Sequence, residues 1–166
     1  MAGLSAVLAS CGGLSSDGQV SIETGSLKFE SGYGVENAAF QGGTYTGPAI
    51  CDDRVTPLQL TFNYRGNLKS VTLNLVGTRG DVKPDLNITG QQNNGSTIAI
   101  QFYSNPGTVP LSLPTPKVSA QAIIVVPNAQ VIGATRVRVV GTSTTGGKTG
   151  ELYTNYVPVV DNCPAS

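Results

Sequence analysis

The clearest pattern in the sequence is a strict alternation of apolar and polar residues within several short runs. In the run "PLQLTFNY", Leu58, Leu60, Phe62 and Tyr64 alternate with polar residues, and the runs "SVTLNLVG" and "STIAIQFYS" repeat the pattern. A period of two places every second side chain on the same face of an extended chain. Each of these runs is therefore predicted to be a β-strand with one buried face.

The residues around these runs indicate how the strands are connected. The turn-like "RGN" between the first two runs predicts a β-hairpin. The runs "TRVRVVG" and "ELYTNYVPVV" predict a second hairpin near the C-terminus, with "GTSTTGGKTG" at its tip. The run "AQAIIVVP" is apolar throughout, which is typical of a central strand covered on both faces.

The region before Cys51 has a weaker pattern. The runs "QVSIET" and "SLKFES" predict two short strands, whereas "GYGVENAAFQGGTYTGPAI" has no clear period. We expect this last stretch to be mostly loop, with room for one more strand and no core of its own.

The number and spacing of these elements set the fold class. About eight to ten short strands with turn signals every 8 to 12 residues favour an all-β, antiparallel β-sandwich. The succession of runs resembles the immunoglobulin-like and fibronectin-like modules of cell-surface proteins. That resemblance implies an immunoglobulin-like sandwich and carries no activity with it.

Composition narrows the functional classes. The 166 residues suit one domain, and ten basic and ten acidic residues give a net charge of zero without charge runs. We therefore expect no binding to nucleic acid. The chain has no histidine, which removes the usual general base and the commonest zinc or copper ligand. We predict that the protein is not an enzyme and has no cofactor.

The N-terminal residues form a separate segment. Residues 2–9 have no charged side chain and are largely apolar. The motif "LASC" at residues 8–11 is followed by "GGLSSDG". This segment resembles the leader of bacterial lipoproteins, in which cleavage precedes a lipid-bearing cysteine. The resemblance implies a leader over residues 1–10, shortened at its start, lipidation of Cys11, and a flexible tether over residues 11–18. Gly12 in place of aspartate implies the outer membrane if the cell has one, and residues 19–166 remain for the sandwich. The alternative is an ordinary N-terminal strand or helix.

An odd number of cysteines indicates that one of the three has a different role from the other two. If Cys11 carries the lipid, Cys51 and Cys163 are left near the two ends of the strand-rich region, where a disulfide is the simplest arrangement. The alternative is a pair of buried, reduced thiols that behave as small apolar side chains.

Few residues offer other chemistry. Tyr33, Phe40 and Tyr45 are candidates for a ligand-binding surface, although packing in the core is the simpler interpretation. Asp81, Asp85 and Asn87 are weak calcium candidates whose spacing matches no EF-hand loop, so we predict no metal site. The glycine-rich "GTSTTGGKTG" lacks the spacing of a phosphate-binding loop and precedes a strand-like run, so we interpret it as a hairpin tip.

Together these observations predict a lipid-anchored protein of the cell envelope. Its sandwich would be a structural or protein–protein interaction module, whose partners would be other envelope or surface-layer proteins. The alternative is a module that binds a small ligand or a glycan, and an enzyme is the least favoured class.

Overall fold

The structure is a computed structural model and describes residues 19–78, 86–89, 97–107 and 123–165. Within these residues, nine strands have four or more residues and three have two. The strands are β1 (Ser21–Ile22), β2 (Lys28–Ser31), β3 (Tyr33–Phe40), β4 (Gly43–Cys51), β5 (Thr56–Arg65), β6 (Leu68–Gly77), β7 (Leu86–Thr89), β8 (Thr97–Ser104), β9 (Ile124–Val125), β10 (Gln130–Ser143), β11 (Leu152–Tyr153) and β12 (Val157–Asp161). A single 3-10 turn, Thr24–Ser26, separates β1 from β2.

The strands form a small and a large sheet. In the four-stranded sheet, β1 and β2 pair with successive parts of β5, and β8 runs antiparallel along β5 from Thr56 to Asn63. The eight-stranded sheet has the order β7-β6-β10-β12-β4-β3-β9, with β11 also paired to β10. Two of its pairs, β12 with β4 and β3 with β9, are parallel. The all-β sandwich is confirmed, and its larger sheet is mixed rather than purely antiparallel.

The main core lies between the two sheets and consists of the alternating apolar residues. Leu58, Leu60, Phe62 and Tyr64 of β5 are all buried, as the period of two predicts. They pack with the inward residues of β6, β8 and β10, among them Val71, Leu73, Leu75, Ile98, Ile100, Phe102, Val137 and Val139. The predicted strand faces are thus confirmed.

A second core lies on the other face of β3, β4 and β12, contrary to the expectation of a loop without a core. Its buried residues are Tyr33, Val35, Ala38, Ala49, Cys51, Val126, Val160 and Cys163. The stretch expected to be mostly loop forms β3 and β4, which pair along Tyr33–Phe40 and Gly43–Ala49. A bulge between Val35 and Ala38, where Asn37 has a φ of 52°, interrupts the alternation and hides the strand in the sequence.

Three of the connections that the structure describes in full cross between the sheets, namely β2 to β3, β4 to β5 and β5 to β6, and glycines lie at two of them. The predicted hairpin of β5 and β6 is wrong, because the two strands belong to different sheets. At the crossing, Gly66 has a φ of +84°, and a Cβ there would collide with the carbonyl oxygen of Gln19. At another crossing the chain passes from β2 to β3 through Gly32, whose amide donates to the carbonyl of Pro57 at 2.8 Å. The C-terminal hairpin prediction is confirmed, since β10 pairs antiparallel with β11 and β12.

A disulfide joins Cys51, at the end of β4, to Cys163, just after β12. The two Cα atoms are 6.1 Å apart, and both cysteines are buried. The strands that carry them already pair, with Val160 opposite Cys51. The bond therefore closes a loop whose ends the sheet brings together independently.

Candidate functional site

A groove of about 640 Å³ lies where the small sheet meets β3, β4 and β9. Its floor contains two glycines in alternate positions of the chain, Gly32 and Gly34. A Cβ at Gly32 would lie 2.5 Å from Cγ of Pro57, and one at Gly34 would lie 3.2 Å from Cγ2 of Ile123. The absence of side chains at these two positions gives the groove its depth.

One wall of the groove is a row of polar side chains across the small sheet. Glu30, Gln59 and Gln101 occupy opposed positions on β2, β5 and β8. The Gln101 amide donates to Oε1 of Gln59 at 3.3 Å, and the Gln59 amide donates to a carboxylate oxygen of Glu30 at 3.0 Å. The other Glu30 oxygen pairs with Nζ of Lys28 at 2.6 Å. The row is therefore fixed in orientation by its own hydrogen bonds.

The opposite wall is apolar and open to solvent. Ile123 is 66% exposed and Val125 is 46% exposed, and Pro48 and Tyr103 continue the surface. The central, doubly covered strand predicted for "AQAIIVVP" is wrong for its described part, because β9 has only two residues and pairs with β3 alone among the described strands. Large aliphatic side chains on an exposed strand, beside a groove, are typical of an interaction surface.

The charge of the groove is acidic. Glu30 and Glu36 both line it, and no lysine or arginine is among the described residues of its lining. Lys28 pairs with Glu30 from outside the lining, so Glu36 is the carboxylate without a paired cation among the described residues. A carboxylate beside apolar surface attracts a ligand that combines a cation with apolar groups.

The structure places none of the predicted ligand-surface residues in the groove lining. Tyr33 is only 2% exposed, belongs to the second core, and donates its hydroxyl to the carbonyl of Pro164 at 3.3 Å. In this conformation the ring therefore offers almost no surface to a ligand. Phe40 and Tyr45 pack edge to face at 5.3 Å, near the hairpin of β3 and β4. The Tyr45 hydroxyl donates to Pro48, and burial raises the pKa of Tyr45. These two rings support each other rather than a shared ligand surface.

The other predicted residues are distributed as follows. Cys11, Asp81 and Asp85 lie outside the described residues. The side chain of Asn87 accepts a hydrogen bond from the Thr72 hydroxyl at 2.6 Å, on an exposed strand face. The "GTSTTGGKTG" stretch is a hairpin tip, in which the Ser143 amide donates to the carbonyl of Gly147.

One group of possible metal ligands occurs in the described part of the chain, and it is not a metal site. Cys51, Asp53 and Cys163 have their ligand atoms within 4.8 Å of one another. The two sulfurs are bonded to each other, so neither is a thiolate. Oδ1 of Asp53 accepts a hydrogen bond from the Cys163 amide at 3.4 Å.

Sequence reasoning missed the groove because six separate strands contribute to it. The one available signal was the apolar run at Ile123–Val126, which indicated burial instead. Comparisons with protein-family models, with curated proteins and with solved structures find no match to this chain. Among the described residues, no helix has the length and apolar character required to cross a membrane.

Proposed function

We propose that this chain is a lipid-anchored envelope protein whose sandwich binds a segment of a partner protein in the groove. The single observation that carries the interaction role is the pairing of an exposed apolar wall with an acidic polar wall over a glycine floor. The occupant is an extended segment with apolar side chains and at least one lysine or arginine.

The apolar wall supports this proposal through the hydrophobic effect. Ile123 and Val125 are exposed in the free protein, next to Pro48 and Tyr103. Covering apolar surface stabilises a complex by about 25 cal/mol per Å² before the costs of association are subtracted. A partner side chain placed between these residues would remove them from water.

The polar wall supports the choice of partner. The amides of Gln59 and Gln101 can donate to, and accept from, the backbone of an extended segment, because each amide carries two donors and an acceptor. Glu36 is exposed at the rim, where a carboxylate speeds the encounter with a cationic partner. Apolar contacts would supply affinity, and the carboxylates would select for a basic residue.

The lipid anchor is supported by the sequence of the N-terminal segment. An apolar run, the "LASC" motif that ends at Cys11, and a Gly/Ser-rich spacer follow one another without interruption. Such a spacer allows an anchored domain to stand clear of its membrane. Mass spectrometry of the protein from its native membranes should find Cys11 as the lipid-bearing N-terminal residue, and an unmodified Cys11 would contradict the anchor.

The groove is tested by site-specific crosslinking in the native cells. A photo-crosslinking amino acid at position 123 should capture a partner that the same amino acid at position 132 does not capture. Ile132 is the matched control, because it is 50% exposed and lies outside the groove lining. The captured protein must contain an apolar segment with a lysine or arginine at the crosslinked site.

The corresponding synthetic peptide then provides a quantitative test. It should bind the purified protein, lose affinity with Ile123→Asp, and retain affinity with Ile132→Asp. Glu36→Gln should weaken binding more at low salt than at high salt, because salt screens exposed charges. Equal binding by the two aspartate variants would contradict the groove, and capture of glycan alone would favour the ligand-binding class.

A further inference from the structure

A second cluster of side chains lies on the outer face of the large sheet, and none of its residues lines the groove. Arg136 of β10 projects from the side opposite Val137 and Val139, which face the main core. Its guanidinium carbon lies 3.9 Å from the ring centre of Tyr153 and 4.9 Å from that of Tyr156. Both distances are within the range of cation–π contact, so the two rings fix the position of the guanidinium.

The neighbouring arginine on the same face is fully engaged. Arg138 donates to Oδ1 of the buried Asn74 through Nε at 3.0 Å and Nη2 at 2.9 Å. Its Nη1 pairs with the carboxylate of Glu151 at 3.1 Å. The other oxygen of Glu151 accepts the Tyr153 hydroxyl at 2.6 Å. Glu151 is thus committed to Arg138 and Tyr153.

Arg136 has no such partner. No described carboxylate pairs with it, and its Nε is buried without a hydrogen bond. Arg136 as a whole is half-buried, and its two terminal nitrogens are not among the buried atoms that lack partners. Two arginines and one glutamate give this cluster a net charge of plus one.

We propose that Arg136 is a binding site for a carboxylate, which its two terminal nitrogens hold through a pair of parallel hydrogen bonds. A guanidinium presents these donors in one plane, and a carboxylate matches their spacing. The tyrosine rings hold that plane in place before the ligand arrives, so little side-chain entropy is lost on binding. The carboxylate comes either from an acidic sugar or from a protein chain.

The site is independent of the proposed partner groove. Arg136, Tyr153 and Tyr156 contribute nothing to the groove lining, and the groove has only acidic charges. A partner segment that binds the groove through a basic residue and a carboxylate that binds Arg136 would therefore occupy different surfaces. Failure of one proposal leaves the other intact.

The test is an NMR titration of the full chain labelled with ¹⁵N, which follows the Nε–Hε signals of the arginines. The probes are sodium glucuronate for an acidic sugar, N-acetylglycine for a protein carboxylate, glucose as the neutral control, and sodium chloride at matched ionic strength. We expect the Arg136 signal to shift and saturate with at least one carboxylate. The signal of Arg65, which pairs with Glu23 at 2.9 Å, should not follow it. The stronger of the two carboxylates identifies the source.

Two variants separate the effect of the planar pair of donors from the effect of the positive charge. Arg136→Lys keeps the charge and loses the planar pair of donors, so its affinity for the carboxylate should fall by about tenfold. Arg65→Lys, the matched control, should leave the affinity unchanged. A chloride-like response, the absence of saturation, or equal affinity in Arg136→Lys would overturn the proposal. The titration of the unaltered chain alone decides the question if Arg136→Lys does not fold.

Discussion

Reduction of the Cys51–Cys163 disulfide should lower the free energy of unfolding by a large fraction of the total. The bond spans 112 residues, and the chain-entropy model gives about 4.7 kcal/mol for a loop of roughly 100 residues. This figure is an upper value, because residual structure in the denatured chain reduces the entropy that the bond removes. A loss of about 2–5 kcal/mol is the expectation for a bond of this kind in a small domain.

The structure indicates that this loss acts through the unfolded state. Val160 lies opposite Cys51 in the sheet, and the Asp52 amide donates to the carbonyl of Val160 at 2.9 Å. These contacts keep the two sulfurs close after the bond is broken, so the folded chain should change little. The unfolded chain, in contrast, gains conformational freedom. For a chain of this size, the melting temperature should fall by about 4–20 °C.

Urea unfolding of the oxidised and reduced protein measures the effect, with Cys11→Ser in both samples to exclude other thiol chemistry. The reduced protein should show a lower midpoint and a steeper dependence on urea, because its unfolded state exposes more surface. The double variant Cys51→Ala/Cys163→Ala should resemble the reduced protein, with a further loss from the missing sulfurs. A difference below about 1 kcal/mol between the oxidised and reduced protein would refute the loop-entropy argument.

Two further predictions concern single residues. Gly66→Ala should destabilise the fold by more than about 1 kcal/mol in urea unfolding, because of its positive φ and the collision with Gln19. Gly146→Ala, also at positive φ but in open space, should cost less, and equal losses would exclude the collision as the cause. The hydrogen bond to Glu151 raises the pKa of Tyr153 above its usual 10.0. This contribution to stability is therefore present below pH 10.0 and is lost as the pH rises through the folded-state pKa. Tyr153→Phe should make stability fall less steeply in alkaline urea titrations, and an unchanged slope would contradict this assignment.

The sequence predicted the strands whose burial follows a simple period. In β5, every inward position from Leu58 to Tyr64 is apolar and every outward one is polar, so local sequence and tertiary environment agree. β6 and β8 follow the same period over Val71–Leu75 and Ile98–Phe102, where the alternate apolar residues are buried. These strands form the main core, and for them the pattern determines both the element and its buried face.

The alternation of apolar and polar residues did not reveal where the chain crosses between sheets. A hairpin and a crossing between sheets both join two alternating strands through a short turn, and "RGN" suits either. The difference lies in tertiary contacts, such as the approach of Gly66 to the Gln19 carbonyl. The second core was missed for a related reason, since the bulge after Val35 breaks the alternation and small residues such as Ala38 and Ala49 fill the space.

The candidate sites were even less accessible to sequence reasoning. Aromatic content singled out Tyr33, but its hydroxyl finds a backbone partner inside the protein. The groove depends on two glycines and on side chains from distant parts of the chain, and the Arg136 cluster depends on the pairing of β10 with β11. Neither arrangement has a local motif.

The passage of the chain through Gly32 has a mechanical consequence. In a domain anchored ahead of Gln19 and held by a partner at the β3 side of the groove, tension enters at one end of the Ser21–Ser31 stretch and leaves at the other. That stretch lies antiparallel along β5, with hydrogen bonds perpendicular to the direction of pull. The bonds share the load and must break together, rather than one after another. The link between anchor and groove should therefore resist force better than its few paired residues suggest.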